Sequence, residues 1–368
     1  MNLDFPYIEI FHVTPDGAIS LVSAGEPYSN LQWTRSFSGC GSFAITLNCD
    51  LPFSWPGRYM LVISGRKEIG IVEKVSVSER SRQSTPVIEG RFFESFLDRW
   101  KFGPKGASLN GANWRQVVSR ALTGWVTKDV PPLAAGEGIA SSNGSSYSIS
   151  GDAGDSPMEI VYSCTSGNGA YPLYTYDRGT DAKNVYYNII SGVNRLRSQS
   201  VNPWWVFSLD LASISSIGYV GDYSPACSQV LAYAYKEVDE QEIAIERIVP
   251  VPGFDPNTMW TAQAFEDVTS LVGQDNTPTN TLVDDGGRLR AYNHQPAIAV
   301  DTVVSLTGYM NEWDLGDLCE VEIPALGIVA QERVEEVREI WKYDGHHLEA
   351  TLGTKLLTRL ERALQGRR

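Results

Sequence analysis

The residues of this sequence whose types do chemistry are few and widely spaced. Four histidines occur, His12, His294, His346 and His347, and no HExxH or HxH arrangement offers two imidazoles to one metal ion. His346 and His347 are adjacent in the turn Tyr343-Asp344-Gly345-His346-His347; neighbouring side chains of a strand point apart, so the pair reads as exposed turn histidines. Cys40, Cys49, Cys164, Cys227 and Cys319 are odd in number and scattered without a CxxC pair, and read as buried free thiols rather than as disulfides, zinc ligands or a redox centre. A GxSxG elbow, a GxxxxGK[ST] loop and a strand-coupled GxGxxG are all absent, so that class of serine hydrolase and the usual phosphate cradles have no scaffold.

Two acidic turns come nearest to a cation site: Asp152 and Asp155 in GDAGD, and Asp284 and Asp285 in DDGG. Both lack the alternating Asp positions and the distal Glu of a calcium loop, and turn chemistry accounts for them better. With 44 acidic residues, carboxylate pairs suited to glycoside hydrolysis are plentiful by count, yet no spacing singles one out. No residue is therefore assigned as catalytic, cofactor-binding or metal-ligating, and no cofactor is expected. The aromatic pairs Tyr186-Tyr187 and Trp204-Trp205 suit a sugar or peptide platform, but in a strand one member of each faces the core, which favours core packing plus a subunit contact. The closing stretch from Thr354 to Arg368 sets Leu356, Leu357, Leu360, Ala363 and Leu364 at helical spacing beside Lys355, Arg359, Arg362, Arg367 and Arg368, with Glu361 as its one acid. It reads equally as a solvated face of a terminal helix and as a contact for an acidic partner.

Composition bounds the architecture that must position these residues. In 368 residues, 42% are hydrophobic and 20% charged, enough for two or three cores and incompatible with disorder, collagen or a coiled coil. Ten Trp, 17 Tyr and 12 Phe with 33 Gly and 19 Pro describe a turn-rich, mainly β protein. The net charge of −14 repels phosphate and argues against nucleic-acid binding by groove-filling Lys and Arg. The opening MNLDFPYIEIFHV lacks a basic region followed by an apolar stretch, and no run approaches the roughly 20 apolar residues that cross a bilayer, so neither a leader nor membrane insertion is expected. A cytoplasmic chain is expected, unless it is carried out as part of something larger.

Residues 1–105 read as a β domain. YIEIFHV and AISLV flank Pro15-Asp16-Gly17 as a hairpin, and LQWTRSF, SFAITLNC, RYMLVIS, EIGIVEKVSVSE and TPVIEGRFF continue the alternation. Residues 106–170 read as a helical insertion with a Gly/Ser-rich loop from Ala134 to Gly154. Trp114, Val117, Val118, Ala121, Leu122 and Trp125 share one helical face, and a second helix starts at Ser156-Pro157, where Ser caps and Pro fills the first turn. Residues 171–260 form a second β segment and 261–354 a third, with Phe265 to Gln274 as a weak helix and Asn276 to Gly287 as turns. Residues 355–368 are the basic amphipathic terminal helix. The expected fold is mainly β with small helical insertions (α+β): two tube-like antiparallel β-barrel or sandwich domains with smaller inserted domains.

Several short motifs occur in an order that resembles the tail hub, or baseplate hub, proteins of long-tailed phages (siphoviruses). They are Leu31-Gln32-Trp33-Thr34-Arg35, Gly41-Ser42-Phe43-Ala44-Ile45, Gly70-Ile71-Val72-Glu73, and Gly90-Arg91 leading to Leu97-Asp98-Arg99. Further on come Asp222-Tyr223-Ser224 before Gln229-Val230-Leu231-Ala232-Tyr233, then Asp314-Leu315-Gly316-Asp317, Arg333-Val334-Glu335-Glu336-Val337 and Leu352-Gly353. Trp33 and Gly316-Asp317 act as fold markers with core and turn roles, and Ala134 to Gly169 resembles nothing specific. Many hub proteins carry a long extension with an adhesin or peptidoglycan hydrolase after this point; here about 15 residues follow Gly353, and any such activity is expected in another protein.

The resemblance implies a non-enzymatic structural virion protein at the tail tip, assembled in the host cytoplasm. It implies a homotrimeric ring that closes the tail tube and joins the distal tail protein ring to a spike, fiber or receptor-binding apparatus, with the tape measure protein as a further partner. DNA would pass only transiently through its lumen. The segment from Asp301 to Glu349 holds 12 acids against 3 bases; lumen-facing carboxylates would repel passing phosphates over roughly 8 Å at physiological salt. The rival readings are a carbohydrate- or receptor-binding tail-tip module and, with less support from the residues, a cell-wall hydrolase.

Overall fold

The computed structural model describes residues 5–25, 27–80, 83–104, 106–111, 113–124, 131–139, 147–151, 153–177, 184–238, 241–269 and 277–353. They fall into two units: Met1–Ile217 with Asp301–Leu352, and Gly218–Val300 with Gly353–Arg368.

The first unit opens with β1 (Ile8–Val13), β2 (Ile19–Gly25), β3 (Tyr28–Ser36), β4 (Ser42–Leu47), β5 (Tyr59–Ile63), β6 (Gly70–Arg80) and β7 (Gln83–Phe92), followed by the 3-10 helix Phe93–Arg99. After these come β8 (Ala107–Gly111), α1 (Trp114–Gly124), β9 (Leu133–Ala135), β10 (Tyr147–Gly151), α2 (Pro157–Gly167), β11 (Ala170–Asp177), β12 (Asn184–Ser191) and β13 (Val206–Phe207). The chain leaves through β14 (Ile214–Asp222) and returns through β18 (Ala297–Val304) to β19 (Leu318–Ile323), β20 (Ile328–Lys342) and β21 (Gly345–Gly353). The strand order is β14-β18-β21-β20-β3-β4-β7-β6-β5-β1-β2, with β19 branching from β20 and β13 pairing β19, which makes 13 strands. Long β20 permits the branch: Ile328 to Arg333 pair with β19, while Glu336 to Lys342 lie between β3 and β21.

Alternation sets the faces. In β3, Leu31, Trp33 and Arg35 are buried, and in β4 Phe43, Ile45 and Leu47 are. Trp33 pairs with Phe43 across the strands and packs on Phe92 at a ring distance of 4.6 Å. Both expected helices form. Val117, Val118, Ala121 and Leu122 bury one face of α1, while Trp125 of the expected stripe lies outside the described residues. Ser156 caps α2 by accepting from the Glu159 N–H, with Pro157 in its first turn. Val118, Leu122, Val161 and Cys164 share a core with Phe93, Leu97 and Tyr174.

The second unit is a sheet of β15 (Gln229–Val238), β16 (Gln241–Pro250) and β17 (Gln263–Asp267), in order β16-β15-β17, with α3 (Asn280–Ala291) after it. Ala232 and Ala234 of β15 pack with Val268 and Val283, and Val230 with Cys227, Val251 and Ala291.

The expected β-barrel domains are not present: among the described residues no sheet closes on itself, and the 13-stranded sheet ends at β14 and β2. Period-two patterning specifies a strand and its buried face, whereas closure depends on tilt and stagger summed over many strands. The sheets are also not purely antiparallel, since β9–β12, β13–β19 and β15–β17 pair parallel. The expected turn from Asn276 to Gly287 gives way, from Asn280 on, to α3; of the weak helix expected from Phe265 to Gln274, Phe265 to Asp267 belong to β17, Thr269 is helical, and Ser270 to Gln274 lie outside the described residues. Gly286 and Gly287 lower helix propensity but admit the helix to the sheet. A Cβ on Gly287 would lie 2.7 Å from the Ala232 Cβ, and one on Gly286 3.0 Å from the Val268 Cβ.

Candidate functional site

In the first unit the charged residues converge on a buried seam. Arg35, on the inner face of β3, is 5% exposed. Its Nε lies 2.6 Å from Glu68 Oε1; its Nη1 donates to Asp314 Oδ1 at 2.5 Å and to the Tyr309 hydroxyl at 3.1 Å. The Tyr171 hydroxyl stands 3.5 Å from Nη2, and Trp33 Nε1 donates to the other Glu68 oxygen. The Tyr309 hydroxyl in turn donates to Glu339, whose carboxylate, fully buried in β20, is gripped by both arms of Arg66. Arg35 has all its charge answered. Burial alone would lower its pKa, but Glu68, Tyr309, Asp314 and Tyr171 hold it well above the ordinary range. Burial likewise works to raise the Glu339 carboxyl, and the Arg66 and His346 contacts outweigh it and keep it ionised. A cation so enclosed has no open donor for a substrate; its effect is to tie β3 and β20 to the loops carrying Arg66, Glu68, Tyr309 and Asp314.

The motif residues from the sequence meet at two separate clusters. Asp317, 2% exposed, accepts from Val193 N–H at 2.7 Å, Arg195 Nε at 3.0 Å and Asp314 N–H at 3.1 Å. Gly316 before it has φ +84°, and a Cβ there would lie 2.8 Å from Phe37 Cδ2, so the turn demands glycine for both reasons. Elsewhere Arg91 bridges Glu73 (2.9 Å) and Asp98 (3.0 Å), joining the Gly-Ile-Val-Glu strand, the Gly-Arg strand and the Leu-Asp-Arg helix. The hydrogen bonds to Glu73 hold the Arg91 pKa above its ordinary value.

The residues singled out for chemistry are not brought together. His12 lies in β1 against Tyr59, and His294 Nε2 is 2.7 Å from Glu266. His347 meets Asp344 at 3.0 Å, while His346 stacks on Trp341 at 4.4 Å with its Nε2 3.2 Å from Glu339. His346 is thus part of the seam and not an exposed turn residue. Cys164, Cys227 and Cys319 are buried free thiols, Cys40 is half-buried and Cys49 exposed. Asp284 pairs with Arg247 and Asp285 lies 4.0 Å from Arg288. The Asp155 carbonyl accepts from the Phe102 N–H; Asp152 and the basic stretch from Thr354 to Arg368 lie outside the described residues. Tyr186 and Tyr187 are half-buried, Trp204 is exposed, and Trp205 stacks on the buried Trp313. Among the described residues no group of three or more His, Cys, Asp or Glu is placed to hold a metal ion, and no helix is long and apolar enough to cross a membrane. Of the twelve acids from Asp301 to Glu349, Asp317, Glu320 and Glu339 are buried in ion pairs with Arg195, Arg197 and Arg66, so part of that acidity is spent inside the fold.

Residues 158–354, just over half of the chain, match the family described as Siphovirus ReqiPepy6 Gp37-like protein. The chain belongs to that family. No curated protein matches it in sequence. Solved structures extend the likeness to the whole fold of this Gp37-like protein. A tail protein from Neisseria meningitidis MC58 superposes with a TM-score of 0.58 at 12% identity, covering 95% of this chain and 97% of the other. The 43 kDa tail protein of prophage MuSo2 from Shewanella oneidensis gives 0.55 at 12% identity, covering 95% and 98%. Prophage tail protein gp18 from Listeria monocytogenes EGD-e gives 0.53 at 10% identity, covering 98% of each chain. The chain is thus a Gp37-like protein that shares its fold with these tail proteins.

The seam was missed in the sequence reading as a site, although its signal was there. Arg35 falls on the same strand parity as Leu31 and Trp33, and an arginine on a core face needs buried acids as partners. Glu68, Tyr309 and Glu339 lie 33, 274 and 304 positions from it, and no local pattern selects them.

Proposed function

We propose that this Gp37-like protein is a structural hub of a phage tail tip. In this reading it forms a homotrimeric ring that closes the tail tube and joins the distal tail protein ring to the spike, fiber or receptor-binding apparatus. It borders the path along which DNA leaves, with the tape measure protein as a neighbour, and resides in the virion after assembly in the host cytoplasm. The observation that carries the reading is the match of fold over nearly the full length of three tail proteins, together with family membership. The seam supports it: a chain whose charged residues lock its own strands is suited to holding shape under load. Acids on the exposed surface, rather than Asp317, Glu320 and Glu339, are the ones available to face a lumen.

Gold-labelled antibody against the chain should mark one tail end of intact particles, and native mass measurement of the purified chain should give three copies. Label on the capsid or no label, or a strictly monomeric chain across concentration, would refute the hub. Glycan binding by the isolated chain without ring formation would favour the receptor-binding reading instead, for which exposed Trp204 is the nearest support.

A further inference from the structure

Among the described residues, the sheet of the second unit has one covered face and one open face. Val230, Ala232 and Ala234 of β15 point to α3; Leu231, Tyr233 and Tyr235 point the other way. Register sets Leu231 beside Ile248 of β16 and Phe265 of β17, and Tyr233 beside Glu246 and Asp267. The Tyr233 ring lies 5.8 Å from Tyr235 and 6.1 Å from Phe265. Ile248 is 60% exposed, Phe265 62% and Tyr235 48%. Among the described residues Ile248, Phe265 and Tyr235 are therefore left largely in water on one face, which marks an interaction surface.

Charge narrows what covers it. The charged side chains described on this face, Glu237, Glu246 and Asp267, are all acidic, while Arg247 is turned to the α3 side, where it pairs with Asp284. An apolar strip edged by carboxylates selects a partner with apolar side chains and cations together, whose Lys and Arg stems lie along the rings. The sequence holds one stretch of that composition: Leu356, Leu357, Leu360 and Leu364 interleaved with Lys355, Arg359, Arg362, Arg367 and Arg368. It lies outside the described residues, and its sequence alone supplies the match.

We propose that the open face of the β16-β15-β17 sheet is an interface between copies of this chain and takes the basic, leucine-bearing stretch Lys355 to Arg368 of a second copy. The inference names a contact for the self-assembly proposed above and rests on that reading.

The test uses the chain shortened after Thr354, its full-length form, and a labelled peptide of the sequence Lys355 to Arg368. The peptide should bind the shortened chain saturably, and a Phe265→Ser, Ile248→Ser double substitution should weaken binding by about tenfold or more. Glu246→Lys should weaken it by a factor of about three to ten, and the difference should shrink in high salt. Leu21→Ser, in β2 of the first unit, should leave binding unchanged. The full-length chain should associate with concentration, and the shortened chain should not. No peptide binding, or binding indifferent to the Phe265, Ile248 and Glu246 changes, overturns the proposal. So does a face protected from hydrogen exchange equally at all concentrations, which would make the cover intramolecular. A trimer that forms equally well without the stretch overturns this contact and leaves the hub standing. A chain monomeric both with and without it overturns the self-assembly on which both depend.

Discussion

The seam around Arg35 and the open sheet face of the second unit use the same residue types to opposite ends. In the first unit Arg35, Arg66, Glu68 and Glu339 are removed from water and answered by one another, so nothing there is left for a partner. In the second, carboxylates and aromatic rings stay at the surface, with Ile248 and Phe265 more than half exposed. The difference teaches how the same residue types act when enclosed and when left at the surface. Enclosed charges fix geometry, and the proposed recognition rests on the unspent surface. It also predicts that substitutions in the two places fail differently, the first in folding and the second in assembly.

The largest effect is expected at the seam. Arg35→Met leaves Glu68 and Asp314 without their cation and should cost about 3–5 kcal/mol, read as loss or marked lowering of the first unit's calorimetric transition. A loss below about 1 kcal/mol would break the comparison, because it would mean the seam is solvated. Gly287→Val, pressing a side chain between α3 and β15, should cost about 1–3 kcal/mol, seen in the second unit's transition alone.

Titration sharpens the contrast further. Burial pushes the Glu94 carboxyl up to about 8 from an ordinary 4.5, and burial with the nearby Glu335 takes Glu332 to about 7. Between these limits the folded state keeps protons that the unfolded state has released. The stability they contribute is complete below the unfolded value and is lost as pH rises through the folded one. The first unit's melting temperature should fall by about a few degrees between pH 6 and pH 9, and Glu94→Gln, which keeps an acceptor for the Tyr174 N–H, should flatten that fall. A slope unchanged in the variant would place Glu94 in water. Ser156→Ala should cost about 1 kcal/mol through loss of the α2 cap. At the small end, Phe265→Ser should change unfolding by no more than about 0.5 kcal/mol while lowering association. Equal damage to folding would show that the face belongs to the core.

How much of this the sequence disclosed depends on how local each cause is. The hairpin at Pro15-Asp16-Gly17, the alternation of β3 and β4, the α1 stripe and the Ser156 cap are set by residues within a few positions of one another, and all were legible. Helix α3 was not, because Asp284-Asp285-Gly286-Gly287 reads as a turn until Ala232 and Val268 are known to need the space. Nor was the open course of the large sheet, since closure is a property of strands hundreds of residues apart. The motifs Trp33 to Arg35, Glu73, Arg91, Asp98 and Gly316-Asp317 were visible as an ordered set, and their meeting in ion clusters required the fold.

The central claim is that the chain is a structural tail-tip hub. A cryo-electron microscopy reconstruction of the tail tip of the intact particle tests it most directly. The account predicts density for this chain as a closed ring of three at the end of the tail tube, with Ile248 and Phe265 covered by a neighbouring copy. Absence of the chain from the tip, or its placement on a peripheral fiber, would contradict it.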